Sequence, residues 1–186
     1  MKIKEKEKVL WDRCIDFHGH ECGGVTIGFM AALYAIELLG LEKDENGGIS
    51  KDEEVVCVAE NDACGIDAIS VILGCSVGKG NLLFHMRGKQ AFSFYNRKTG
   101  KAVRLVLKNR PLGMSREEAF EYFQNADYRN IFDVSEATIK LPEKAKIFSS
   151  FDCDSCGEST GANWIRLSGD KKLCLDCYES YNRFDV

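Results

Sequence analysis

The sequence predicts an α+β protein: helices packed on a mostly antiparallel sheet, with a C-terminal zinc-ribbon or treble-clef appendage. Three observations predict it. Element signals run helix, strand, helix, hairpins, helix along the chain. Apolar residues make up 45% of the 186, enough for one core of ordinary size. The last 36 residues carry two CxxC pairs and little else that could form a core.

The first element is a short amphipathic helix over Glu5–Ile15, leading into a loop rich in histidine. Gly23 and Gly24 then open a long helix to Leu39, and Gly40 is a natural stop. Its body, VTIGFMAALYAIELLG, carries one charge, Glu37. A helix apolar nearly all round is buried on most sides, by the rest of the domain or by a second copy of the chain. EKDENGGISKDEE reads as an exposed loop. VVCVAE, at 55–60, is a short buried strand rich in β-branched residues. A second helix covers Ile66–Leu73 and ends at Gly74. NLLFHM, AFSFYN and KAVRLVLK read as three strands, the last two joined by the turn RKTG. Ser115 with Glu118 three residues on is a capping box for a helix in SREEAFEYF. From Asn125 to Ser150 the pattern weakens. These signals divide the chain into a core domain over 1–141, a linker over 142–150 that contains Pro142, and a four-cysteine domain over 151–186.

Charge and composition narrow the function. The net charge of −4 argues against a general binder of nucleic acid or anionic membrane. The start, MKIKEKEKVL, has no apolar core of a secretory signal. The longest apolar run, Val25–Ile36, has twelve residues, where a membrane span needs about twenty. The expectation is a soluble cytoplasmic protein. Nine cysteines in such a chain point to metal or thiol chemistry rather than a disulfide framework.

Cys153 and Cys156 form one CxxC pair, Cys174 and Cys177 another, with seventeen residues between. Four thiolates so spaced close the coordination sphere of a structural Zn²⁺, and metal binding then drives folding of a segment with little core. Seven acidic against four basic residues in this segment make a nucleic-acid contact a poor reading; docking or dimerisation fits better.

CIDFHGHECGG holds two of the three histidines and two of the cysteines. His18, His20 and Cys22 alternate, so they cannot share a metal on one helix, where positions two apart face opposite ways. In a loop curled at Gly19 they can. Cys22 and Cys64 each open a helix, where the dipole and free N–H groups favour a thiolate. If those two helix starts meet, Cys22 and Cys64 converge with His20 and His18 into a mixed site with an open position for a small-molecule ligand. Asn61 and Asp62 flank Cys64 as capping or outer groups. Cys57, Cys75 and His85 are read as structural. Cys14 is wall or ligand.

FHGHECGG, ENDACGIDAI, GCSVGKGNL and the paired CxxC turns together resemble the FmdE family, named for a component of formylmethanofuran dehydrogenase, over about Leu10–Tyr178. The resemblance implies an α+β core, a zinc ribbon, an intertwined homodimer and a molybdenum or tungsten enzyme of one-carbon metabolism as partner. The family's HGHxCxG element matches His18, Gly19, His20, Cys22 and Gly24. Its acidic–cysteine turn matches Asn61, Asp62 and Cys64, and its glycine turn Gly78 and Gly80. Arg87 stands where the family pattern has an aromatic; Arg87 and Lys89 either offer positive charge to an anionic ligand or solvate a strand end, and the second reading is preferred.

Three functions follow. The first is a metal-binding accessory protein, with zinc in the C-terminal segment and zinc or another transition metal in the core. The second is an enzyme acting on a one-carbon or acyl group, with a metal or with Cys22 or Cys64 as nucleophile, His18 or His20 as base and Asp62 assisting. The third is a redox sensor pairing Cys22 with Cys64.

Overall fold

A computed structural model describes residues 5–42, 49–109, 112–181 and 183. The chain divides into two compact units, Met1–Ala145 and Lys146–Val186.

In the first unit, α1 (Glu5–His18) and α2 (Gly23–Leu39) precede β1 (Val55–Ala59), and α3 (Gly65–Leu73) follows it. Then come β2 (Leu82–Phe84), β3 (Ala91–Asn96), β4 (Ala102–Leu107), α4 (Arg116–Asn125), α5 (Tyr128–Ile131) and β5 (Phe132–Ser135). The sheet order is β2-β1-β3-β4-β5. Among these strands only the β1–β2 pair is parallel, so the sheet is mostly antiparallel.

All five residues of β1 are buried, and the period of two explains how. Val55, Cys57 and Ala59 face the helices, with Phe92 and Phe94 of β3 and Leu105 of β4. Val56 and Val58 face the other way, with Tyr95, under Ala137, Ile139 and Leu141. The segment after β5 therefore roofs the second face. Tyr95 donates its hydroxyl hydrogen bond to the carbonyl of Ile139 at 2.6 Å, and the Ala145 N–H reaches Glu53 Oε1 at 3.0 Å.

α2 lies in the core, with Val25 through Ala32 buried without a break. Its one charge stays at the rim, where Arg129 and Tyr128 of α5 bind the Glu37 carboxylate. Gly40 closes the helix in the left-handed region at φ 59°. Trp11 of α1 meets Phe29 of α2 edge-on, with ring centroids 5.2 Å apart. At the end of β1, Glu60 is clamped by Arg104 of β4 through Nε at 2.6 Å and Nη2 at 3.0 Å. That guanidinium, by its hydrogen bonds first, holds the Glu60 carboxyl below its ordinary value, although burial pushes the other way.

The first helix runs on to His18, beyond the predicted Ile15, because Gly19 and not Asp16 breaks it. The Gly19 N–H closes on Ile15 at 2.7 Å, and Gly19 itself turns left-handed at φ 91°. The loop predicted over 42–54 lies outside the described residues at 43–48. Its second half is not wholly exposed, since Ser50 and Glu53 are buried. The capping box forms, with Ser115 Oγ accepting from the Glu118 N–H at 3.1 Å and Glu118 answering at 2.7 Å. α5 and β5 fall where the pattern weakened; each has only four residues, too few for a period to show. No helix among the described residues is long and apolar enough to cross a membrane.

The second unit holds two small hairpins. β6 (Ser150–Asp152) pairs with β7 (Ser159–Gly161), and β8 (Arg166–Ser168) pairs with β9 (Lys171–Leu173). Its buried apolar cluster consists of Cys153, Leu173 and Cys174, with Cys177 and Tyr178 against them. A core that small supports few kcal/mol of stability by itself.

Candidate metal centre

Three glycines place the core site. A Cβ on Gly28 of α2 would lie 2.0 Å from the carbonyl oxygen of Gly65, the first residue of α3. One on Gly24 would lie 2.8 Å from Cys64 Cβ. The two helices thus touch backbone to backbone at their starts, an approach only glycine permits. It sets Cys22, the N-cap of α2, beside Cys64, the residue before α3. The Val25 N–H donates to Cys22 Sγ at 3.4 Å, the sulfur taking a capping oxygen's role. The Cys64 thiol is pushed above its ordinary value by burial first and by the neighbouring Cys22 second.

His18 completes the approach from α1. Its Nδ1 lies 2.7 Å from Asp67 Oδ2, and its Nε2 lies 3.8 Å from Cys22 Sγ. A carboxylate only accepts, so Nδ1 carries a proton and Nε2 is the ring nitrogen that faces the sulfur. This carboxylate–imidazole pair is the arrangement that orients metal-bound histidines. The bend at Gly19 sets the His20 ring beside that of His18, tilted by 38°, with ring centroids 4.6 Å apart. One ligand atom each from His18, His20 and Cys22 lies within 4.8 Å of the others. A nitrogen and a sulfur bound to one tetrahedral zinc are about 3.6 Å apart. The donor set and spacing therefore fit a borderline-soft ion.

The site opens on a cavity of about 490 Å³. His20, Cys22 and Cys64 form one side; Glu117, Phe120 and Phe123 of α4 form the other. Two of the three close ligands, His20 and Cys22, face the cavity, with His18 behind them, which is the plan of a centre with an exchangeable position.

The remaining candidates separate by position. Cys64 lines the cavity but stands outside the close trio. Asp62 is exposed and does not line the cavity. Cys14 is wall: it is fully buried, and burial pushes its thiol up to about 12. Cys57 and Cys75 are likewise fully buried with thiols pushed up by burial. Arg87 is exposed and donates to the carbonyl of Met86. Sequence reasoning missed Asp67, Phe120 and Phe123. Asp67 follows Cys64 by three residues, one helical turn, so it was findable as a same-face neighbour. Phe120 and Phe123 share that spacing but belong to a helix with no visible link to the site.

The second unit brings Cys153, Cys156, Cys174 and Cys177 together, their sulfurs all within 4.8 Å. Cys156 Sγ and Cys174 Sγ are 3.8 Å apart. Two thiolates each about 2.3 Å from a tetrahedral ion have about that separation. Backbone N–H groups of Cys156, Cys174 and Ser155 hold the Cys153 thiol down to about 6. The Cys174 N–H is 3.3 Å from that sulfur. Gly157, at φ 77°, turns the chain after the first pair.

Residues 17–146 match the family model described as "FmdE, Molybdenum formylmethanofuran dehydrogenase operon". The chain belongs to the FmdE family. A crystal structure of a tungsten formylmethanofuran dehydrogenase FmdE-like protein from Syntrophus aciditrophicus superposes with a TM-score of 0.64 at 25% identity, covering 92% of this chain and 90% of that one. A probable S-adenosyl-L-methionine-binding protein of Archaeoglobus fulgidus is 27% identical over 91% of this chain. The chain spans about half of that relative's length, 52%.

Proposed function

We propose that this FmdE-family chain is a metal-binding accessory protein with two unlike centres. Cys153, Cys156, Cys174 and Cys177 hold a structural zinc that folds the second unit. His18, His20 and Cys22, with Cys64 alongside, hold zinc or a similar transition ion whose open position faces the cavity. The partner is a molybdenum or tungsten formylmethanofuran dehydrogenase, in keeping with the family's description, and the working form is a cytoplasmic homodimer.

The observation that carries the reading is the close trio, with His20 and Cys22 at the cavity wall and His18 oriented by Asp67. When bound, the ion supplies a Lewis acid to a small ligand. Asp67 holds the His18 proton on Nδ1. Phe120 and Phe123 keep water from the ligand's apolar part, and Glu21 and Glu117 place carboxylates at its edge. The same aromatic and acidic lining suits a sulfonium, so S-adenosylmethionine, named in the A. fulgidus relative, is one small molecule to screen.

Metal analysis of the full chain tests the reading. Two ions per chain are expected, falling to one in Cys22→Ser. One per chain in the wild type, unchanged by His20→Ala, overturns the core centre.

A further inference from the structure

Resting on that reading of the core centre, we infer that its ligand is an elongated organic anion whose charged end sits at Lys89 and Lys108. A second cavity, of about 460 Å³, lies across Phe123 from the first; Phe123 lines both. The two differ in charge. Glu21 and Glu117 line the cavity at the metal centre, while Lys89, Lys108, Gln90 and Asn109 line the second. No carboxylate lines the second cavity among the described residues, so it presents two cations and two amides, a set suited to a carboxylate or phosphate.

The second cavity is tied to the metal centre by a chain of hydrogen bonds. Asn61, three residues before Cys64, donates from Nδ2 to the Lys89 carbonyl at 2.7 Å and accepts at Oδ1 from the Ala63 N–H. Asn61 is itself buried. The Lys89 N–H reaches the Glu60 carbonyl at 3.3 Å, and the Leu107 N–H reaches the Gln90 carbonyl at 2.9 Å. The strand ends that carry both lysines are therefore stapled to the turn that carries Cys64. Lys108 makes one loose pair with Asp133, at 3.7 Å and open to water, which a ligand anion readily replaces. Together the cavities come to roughly the upper end of the 300–1,000 Å³ range of small-molecule sites. A molecule filling both places its coordinating group at the trio, its chain over Phe120 and Phe123, and its anion between the lysines. Lys89 is thus a binding residue and not the solvated strand end its sequence setting suggests.

Calorimetry on the zinc-loaded full chain under reducing conditions tests this with thiol probes, whose sulfur serves as the coordinating group. 6-Mercaptohexanoate is compared with its methyl ester, and mercaptoacetate serves as the short control. The long acid is expected to bind about tenfold or more tighter than its ester, the value of a charge-assisted contact. The double variant Lys89→Gln/Lys108→Gln, both at exposed positions that the fold does not need, should erase that advantage and leave the ester and mercaptoacetate unchanged. Equal affinity of acid and ester in the wild type, or an advantage that survives the double variant, overturns the inference alone. Binding of no thiol, or binding that Cys22→Ser does not alter, overturns the core centre and this inference with it.

Discussion

Replacing Gly28 by alanine sets two ordinary effects against each other, and the structure decides the sign. In a helix interior alanine is favoured over glycine by about 1 kcal/mol, so propensity alone predicts stabilisation. The added methyl, however, would sit 2.0 Å from Gly65 O and 2.4 Å from Gly65 Cα. Both are backbone atoms, so no rotamer change relieves the clash. α3 must back away by about 1 Å, and overpacking of this kind costs about 1–3 kcal/mol or more. Here the upper end applies, because the obstruction is a packed helix. The net expectation is a loss of about 2 kcal/mol, a fall in melting temperature of roughly 4–8 °C for a chain this size. All five α-helices among the described residues lie in the first unit, so far-UV circular dichroism reads that unit's transition. Gly78→Ala is the control, since a Cβ there meets nothing within 4 Å and its φ is not left-handed. It should be neutral or slightly stabilising. Because α3 carries Cys64 at its start, Gly28→Ala should also weaken the core metal. A Gly28→Ala protein that melts at or above the wild type would refute the close-approach account of the site.

Two more predictions follow from single contacts. Asp67→Asn keeps the size but removes the carboxylate that orients His18; core metal affinity should fall about 10–100-fold while the four-cysteine site is unchanged, as read by chelator competition. The Glu60–Arg104 clamp gives a pH dependence with a definite sign. Arg104 lowers the Glu60 carboxyl in the folded state, so its stabilisation is complete above the ordinary value of 4.5 and is lost as pH falls through the lowered one. Arg104→Leu leaves Glu60 buried and unpaired, with its side chain 5% exposed. It should cost about 3–5 kcal/mol at neutral pH. The deficit should shrink near pH 4, where the orphaned carboxyl can protonate. Urea midpoints at the two pH values measure this, and an equal deficit at both would count against the clamp.

Much of the architecture was legible locally. Gly40, Gly74 and the Ser115–Glu118 box marked helix ends correctly, because caps are written in one or two residues. The strands of 55–60, 91–96 and 101–108 showed as short runs rich in β-branched and aromatic residues. α5 and β5 were not legible, since four residues carry no period. The roof over the second face of the sheet was hidden too: Ala137, Ile139 and Leu141 alternate, but only docking on Val56, Val58 and Tyr95 makes that alternation a face. Lys89 reads as a solvated strand end in one dimension, and only the fold sets it beside Lys108 at a cavity.

The sequence alone determined which chemistry this protein carries: imidazole and thiol crowded into HGHEC, a third thiol after a strand, and two CxxC turns. Ligand type and spacing are local properties, and they survive in a linear string. Tertiary structure decided which of those groups lie close enough to share an ion and what faces them. That depended on glycines at 24, 28 and 65 letting two helices touch, on Asp67 meeting a histidine 49 positions away, and on α4 closing the cavity. Each is a contact between segments distant in sequence, where only the folded core's packing, and no local preference, chooses the partner.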